Sequence, residues 1–158
     1  MTVDVRVPTA DDRDAVAALL ADMLAHYRQE APAERIENAV ARLTAGSAAG
    51  PFALIARVDG VPTGIAIFSE TFPARALTPA LFLRDVYVGA GARGHGVGRA
   101  LMASLAKFAK EGGYTRIEWL TGRENAPAQR LYGSIGAPDA ETVYYRVEGA
   151  AIDRIAGD

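Results

Sequence analysis

Arg93-Gly94-His95-Gly96-Val97-Gly98 sets three glycines at alternating positions behind an arginine, between an apolar run and an amphipathic one. Glycine lacks a Cβ, so such a segment lets another group approach the backbone closely. Downstream, Val97, Leu101, Met102, Leu105, Phe108 and Ala109 recur at helical spacing, leaving Lys107 and Lys110 for solvent. A helix starting there presents unpaired N–H groups and the positive end of its dipole. That chemistry suits an anion, most often a phosphate. Arg93 adds a fixed charge. An ordinary change of direction needs one or two glycines, and Gly91, Gly94, Gly96 and Gly98 together exceed that need.

A dinucleotide site is the competing reading, because Gly89-Ala90-Gly91-Ala92-Arg93-Gly94 matches G-x-G-x-x-G after a strand. In that fingerprint the helix opens directly after the first glycines. Here Gly96 and Gly98 delay it, and the preceding segments read as an antiparallel meander rather than a parallel unit. A P-loop fails because no Gly-Lys-Ser/Thr follows. The phosphate reading survives.

A second constellation lies about 30 residues further on, a separation that leaves room for one strand between the two. Asn125 is a good helix N-cap, Pro127 is tolerated in the first turn, and Ala128, Leu131 and Tyr132 share a helical face. The Tyr132 phenol, with an unperturbed pKa of about 10, can anchor a short helix by packing or donate a proton to a basic leaving group such as a thiolate.

The elements that must position these groups follow from periodicity. Residues 81–88 read as the strand before the glycine turn, and 115–121 as the strand before Asn125, with Ile117, Trp119 and Thr121 on one face. Val3, Val5 and Val7 alternate as a first strand. Thr9 to Asp12 offer N-cap chemistry to a helix carrying Val16, Leu19, Leu20 and Met23, and a second helix carries Ile36, Val40 and Leu43. Residues 52–58 and 63–70 form a hairpin about Asp59-Gly60. A late strand over 143–147 and a terminal helix over 149–156 complete an α+β chain with a mixed sheet.

Bulk properties narrow the classes. The 158 residues fit one domain, taken as 1–158, and half are hydrophobic. A net charge of −2 gives no basic footprint for nucleic acid. With no cysteine and two histidines, disulfides, thiolate metal sites, a Cys nucleophile and a His-based zinc site are excluded. No apolar run approaches the ~20 residues of a membrane helix. The expectation is a cytoplasmic protein without a metal or membrane partner.

Together the two segments resemble the GNAT superfamily of N-acetyltransferases. Arg93, Gly96 and Gly98 match its R/Q-x-x-G-x-G/A turn, and Asn125, Ala128, Leu131 and Tyr132 match its Asn-x-x-Ala-x-x-Leu/Phe-Tyr segment. The element order agrees over nearly the whole chain. The resemblance implies the GNAT acyl-CoA N-acyltransferase fold, a mixed, mostly antiparallel twisted sheet flanked by helices. It also implies acetyl transfer from acetyl-CoA to a primary amine of a small molecule, without a covalent enzyme intermediate.

It assigns roles as well. Backbone groups of Val86, Tyr87 and Val88 pair with the pantetheine arm, and the Val88 N–H polarises the thioester carbonyl. Arg93, Gly94, His95, Gly96, Val97, Gly98 and Arg99 cradle the diphosphate. Asn125 and Ala128 line the cofactor's other side, and Tyr132 protonates the departing sulfur. Asp85, Glu118 and Glu70 are candidates for the base. Tyr27 and Glu30 are candidates for substrate contact or for simple packing. Homodimers are common in the family.

Residues 83–88, Ile117 to Leu120 and Tyr144 to Gly149 also look like the diamine (spermidine/spermine) acetyltransferase branch. That branch usually carries Glu-Asp where this chain has Arg84-Asp85, and an arginine there repels a polyamine. Period-2 alternation puts Arg84 and Asp85 on opposite strand faces. A protein or peptide N-acetyltransferase, or a non-catalytic acyl-CoA-binding module on the same fold, are the alternatives.

Overall fold

A computed structural model describes residues 1–157. Its strands are β1 (Val3–Arg6), β2 (Phe52–Val58), β3 (Val61–Thr71), β4 (Ala80–Val88) and β5 (Ile117–Trp119). They form one sheet in the order β1-β2-β3-β4-β5, antiparallel throughout except for the parallel β4–β5 pair. The helices are α1 (Arg13–His26), α2 (Ala33–Thr44), α3 (Val97–Glu111), α4 (Ala126–Ser134) and α5 (Ala150–Ala156).

Alternation in the strands supplies two cores. Leu54, Ala56, Ala66, Phe68, Leu81 and Leu83 face α3, whose Val97, Leu101, Met102, Leu105 and Ala109 cover them. Ala53, Ile55, Ile65 and Tyr87 face the other way and meet Val16, Leu19, Leu20 and Met23 of α1 and Val40 and Leu43 of α2. The Asp59-Gly60 hairpin forms as expected, because both residues take the positive φ (48° and 83°) that a tight two-residue turn demands.

A buried carboxylate ties α1 to the sheet edge. Asp12 accepts bonds from both terminal guanidinium nitrogens of Arg6, from Arg57 Nη2 and from the Thr9 N–H, each at 2.7 Å. The Arg6 hydrogen bonds above all, with those of Thr9 and Arg57, hold its carboxyl well below the usual range despite burial. Its stabilisation is therefore complete above the unfolded value of about 3.9 and is lost as pH falls toward the folded value. Asp12→Asn is expected to cost about 3 kcal/mol by leaving two arginines half-paired. Thermal unfolding at pH 7 checks it: the melting temperature should fall on the order of 10 °C, and the gap between variant and parent should narrow below about pH 4.

Two strand expectations need correction. The strand expected over 115–121 is three residues long, with Ile117 and Trp119 turned to the α3 core and Thr121 outside it. The late strand expected over 143–147 is absent. Its residues have no regular structure, and Val143 and Tyr145 are 77 % and 86 % exposed. Alternation alone does not make a strand; its backbone groups need a neighbour, and among the described residues β5 pairs only with β4.

Candidate active site

The site begins with a missing residue pair. β3 and β4 run in register with Ile67 opposite Asp85, but the next β3 residue, Phe68, faces Leu83, so Arg84 has no partner. This bulge falls where the β4–β5 pairing stops, at Leu83 opposite Trp119. Beyond it, β4 keeps β3 on one side and, among the described residues, has no strand on the other.

Which groups face that open edge follows from the ladder. The Gly89 N–H donates to the Thr63 carbonyl at 2.8 Å. The N–H and C=O of one residue point the same way and successive residues alternate, so Tyr87 and Asp85 also turn their backbone toward β3. Val86 and Val88 turn theirs to the open edge.

The bulge also resets the side chains. Leu81 and Leu83 pack in the α3 core, and so do Val86 and Val88, although the parity has changed. Counted outward from each side of the bulge, Arg84 and Asp85 fall on the same face, that of Tyr87 and α1. The expectation of opposite faces is overturned because it assumed an unbroken period of two.

Beyond the strand, a 3₁₀ turn (Ala90–Ala92) leads into the glycines, which serve different ends. Gly94 and Gly96 have φ of 78° and 80°, and a Cβ on either would meet nothing within 4 Å. Their backbone is open to an approaching group. Gly98 is helical, and a Cβ there would come within 3.2 Å of Leu131 Cδ2. It lets α4 close on α3. The first backbone bond of α3 runs from Ala100 N–H to Gly96 C=O at 2.9 Å, which leaves Val97, Gly98 and Arg99 N–H groups without helical acceptors. No side chain caps this end, and its first turn holds no acid.

Side chains of the turn go elsewhere. The Arg93 guanidinium folds back, its Nε donating to the Val88 carbonyl at 2.9 Å with Nη2 3.3 Å from His26 Nδ1. Arg99 donates to Ser134 Oγ at 2.7 Å, bracing α3 on α4. His95 is exposed and borders a depression with Leu19, Thr63 and Tyr87 that does not reach the open strand edge.

Asn125 caps α4 as expected, its Oδ1 accepting from the Ala128 N–H at 3.3 Å. Gln129 closes the preceding loop through the carbonyls of Gly122 and Arg123. Tyr132 is half-buried, edge-on to Trp119 with ring centroids 5.1 Å apart. Burial, and then the neighbouring Tyr27, push its phenol above the usual value.

Of the three carboxylates, Glu70 accepts from Tyr114 Oη at 2.9 Å at the β5-paired end of the sheet, and Glu118 pairs with Arg116 at 3.2 Å. Asp85 has no such partner among the described residues. Burial pushes its carboxyl up and Arg84 offsets part of that. Tyr27, raised by burial and then by the Asp85 charge, brings the end of α1 to the same place. Sequence reasoning missed His26, and only its spacing from Val16 and Met23 on α1 hinted that it faces the sheet. No group of three or more metal-ligating side chains, and no helix long and apolar enough to cross a membrane, occurs among the described residues.

Comparison with known proteins bears on the family and the fold. The model of the Acetyltransferase (GNAT) family matches residues 14–137. An integron cassette protein from the mobile metagenome of V. cholerae superposes with a TM-score of 0.81 at 25 % identity, covering 100 % of this chain and 99 % of that one. A ribosomal-protein-alanine N-acetyltransferase from Brucella melitensis biovar Abortus gives 0.77 at 27 % identity, over 94 % and 100 %. An aminoglycoside N-acetyltransferase in complex with CoA gives 0.78 at 19 %, over 93 % and 95 %, a likeness of fold alone.

Proposed function

The chain belongs to the GNAT acetyltransferase family and is an acetyl-CoA-dependent N-acetyltransferase, and on that premise we propose that it acetylates a primary amine of a small molecule at the open edge of β4. The observation that carries this reading is the strand edge freed by the Arg84 bulge, running straight into a turn with unpaired N–H groups.

Acetyl-CoA fits that frame as co-substrate and supplies the activated acetyl group. Val86, with both its backbone groups, and the Val88 N–H are the edge groups left for the pantetheine arm, in the manner of an added strand. The Tyr87 backbone serves β3 and its side chain is buried against α1, so Tyr87 supports the edge from behind rather than touching the arm. Gly94, His95, Gly96, Val97, Gly98 and Arg99 offer backbone N–H groups to the diphosphate, with Arg93 acting through its place in the turn. Asn125 and Ala128 set the start of α4 opposite. The thioester ends the pantetheine arm at the side away from the diphosphate, so of the two free N–H groups that of Val86, nearer the bulge, rather than that of Val88, donates to the thioester oxygen and stabilises the charge that gathers there during attack.

Tyr132 holds its proton at neutral pH, because its environment disfavours the phenolate, and delivers it to the leaving sulfur. Asp85 takes the proton that an ammonium acceptor must lose. It is the one carboxylate of the three candidates without a bonded partner among the described residues.

Arg84 on the face of Asp85 favours a single amine over a polycation, so the likeness to the diamine branch extends to reaction and fold rather than to a polyamine acceptor. A peptide N-terminus is the second reading, favoured by the 27 % identical neighbour named for ribosomal-protein alanine. We further propose that residues 1–158 form one acetyltransferase domain, cytoplasmic and homodimeric, with pairing covering the exposed Val143, Tyr145 and Ile155.

Thiol release from acetyl-CoA, measured against lysine, kanamycin, spermidine and an alanine-initiated peptide, tests the acceptor class. Lysine, whose carboxylate leaves it a net charge of about +1, should be used at least about tenfold more efficiently than spermidine with its charge of about +3. A preference for spermidine contradicts the reading of Arg84. In the same assay, activity should fall as pH drops through the Asp85 value, which burial raises above that of an ordinary Asp, and Asp85→Asn should remove that limb. An unchanged limb in the variant excludes Asp85 as the base.

A further inference from the structure

Two opposite charges stand side by side at the bulge. Asp85 lies across from Ile67, which packs on the α1–α2 core, whereas Leu83 lies across from Phe68 in the α3 core. Arg84 is the extra residue between them, so it and Asp85 share the α1 face instead of alternating. Ion pairs among the described residues are made by Asp12, Glu111 and Glu118 with other cations. Burial raises the Asp85 carboxyl and the Arg84 charge draws it part of the way back, so the two are near. Yet no ion pair joins them among the described residues. Arg84 is exposed and Asp85 half-buried. One face thus carries a cation and an anion, each with its bonding groups unused.

That face is the one an acceptor can use. On the other, Val86 and Val88 are packed on the α3 core together with Tyr132 of α4. The amine therefore comes to the thioester past Asp85, while the Tyr132 phenol serves the sulfur from its own side. Aspartate is short and arginine long, so the guanidinium stands further out than the carboxylate. A molecule that fills both has its ammonium inward and an anion outward. The fork of a guanidinium matches a carboxylate or a phosphate. A phosphate dianion would meet the Asp85 charge with one cation to offset it, and a carboxylate brings a single charge.

We propose that the acceptor is a free amino acid, its ammonium met by Asp85 and its carboxylate by Arg84. This rests on the reading of the open β4 edge as the acetyl-CoA groove. The amine nitrogen bonds to the acetyl carbon as the carbon–sulfur bond breaks. The ammonium proton goes to Asp85, the Tyr132 proton to sulfur, and the acceptor carboxylate is left intact. A peptide N-terminus has its first carboxyl tied up as an amide and loses the Arg84 contact.

Acids and amides on the same carbon chain isolate the contact: alanine with alaninamide, 4-aminobutyrate with its amide, and 6-aminohexanoate with its amide. The amine of an amide is no more basic than that of its acid, so ionisation gives the acid no advantage. By thiol release, the parent should use the acid of its best pair at least about tenfold better in kcat/KM, as one charge-assisted contact allows. Arg84→Met should erase that preference by raising KM for the acid, with the dissociation constant for acetyl-CoA unchanged within about twofold. Arg84→Lys should keep part of the preference, since it keeps the charge and loses the fork. Equal use of acid and amide by the parent, a preference for the amides, or an undiminished acid preference in Arg84→Met each overturn the proposal. So does a parent that binds acetyl-CoA and acetylates none of the acids. A failure of the groove itself looks different: the parent protein then does not bind acetyl-CoA at all.

Discussion

Tyr132→Phe is expected to lower kcat by about 10²–10³-fold, the range of a lost general acid, while acetyl-CoA binds as before. The variant removes one oxygen and keeps the ring, so the edge-on contact with Trp119 persists and α4 stays seated. The phenol is raised above its usual value by burial and by Tyr27. At neutral pH it is thus wholly protonated and ready to donate. A thiolate leaving without a proton donor is a poorer leaving group, and the loss should fall on kcat rather than on binding. Steady-state kinetics beside a calorimetric acetyl-CoA titration check the split. Undiminished turnover removes Tyr132 from the chemistry and leaves it an aromatic packed on β5.

Gly96→Val is expected to weaken acetyl-CoA binding by more than about 30-fold, with the fold retained. At φ 80° a β-branched residue is strained by roughly 1–3 kcal/mol, less than the ~5–15 kcal/mol stability of a typical domain. The valine either holds that strain with its side chain projecting into the open space over the turn, or relaxes and swings the N–H groups at the start of α3 away. Both outcomes spoil a backbone cradle. Circular dichroism and melting establish the fold, and titration establishes the affinity. Unchanged affinity refutes the cradle.

Most of the frame was legible in the sequence because its signals are local. The glycines, the helical spacing from Val97 to Ala109, the Asn125 cap and the Asp59-Gly60 turn each report on their own few residues, and each stands where expected. What was not legible depends on partners. The bulge at Arg84 is a mismatch between two strands, invisible in either alone, yet it opens the edge and puts Arg84 beside Asp85. The guanidinium of Arg93 answers a strand-end carbonyl and an imidazole 67 residues away. Gly98 owes its identity to Leu131 on another helix. The alternation of Val143, Tyr145 and Val147 has the propensity of a strand but no neighbour to pair with.

The frame itself meets its plainest test in an amide spectrum of the 15N-labelled protein titrated with acetyl-CoA. The largest shifts should fall on Val86, Val88 and the turn from Gly94 to Arg99, with smaller ones at Asn125 and Ala128, and should saturate at one equivalent. Shifts centred elsewhere, or none at those residues, contradict the assignment of the open β4 edge and its glycine turn to acetyl-CoA.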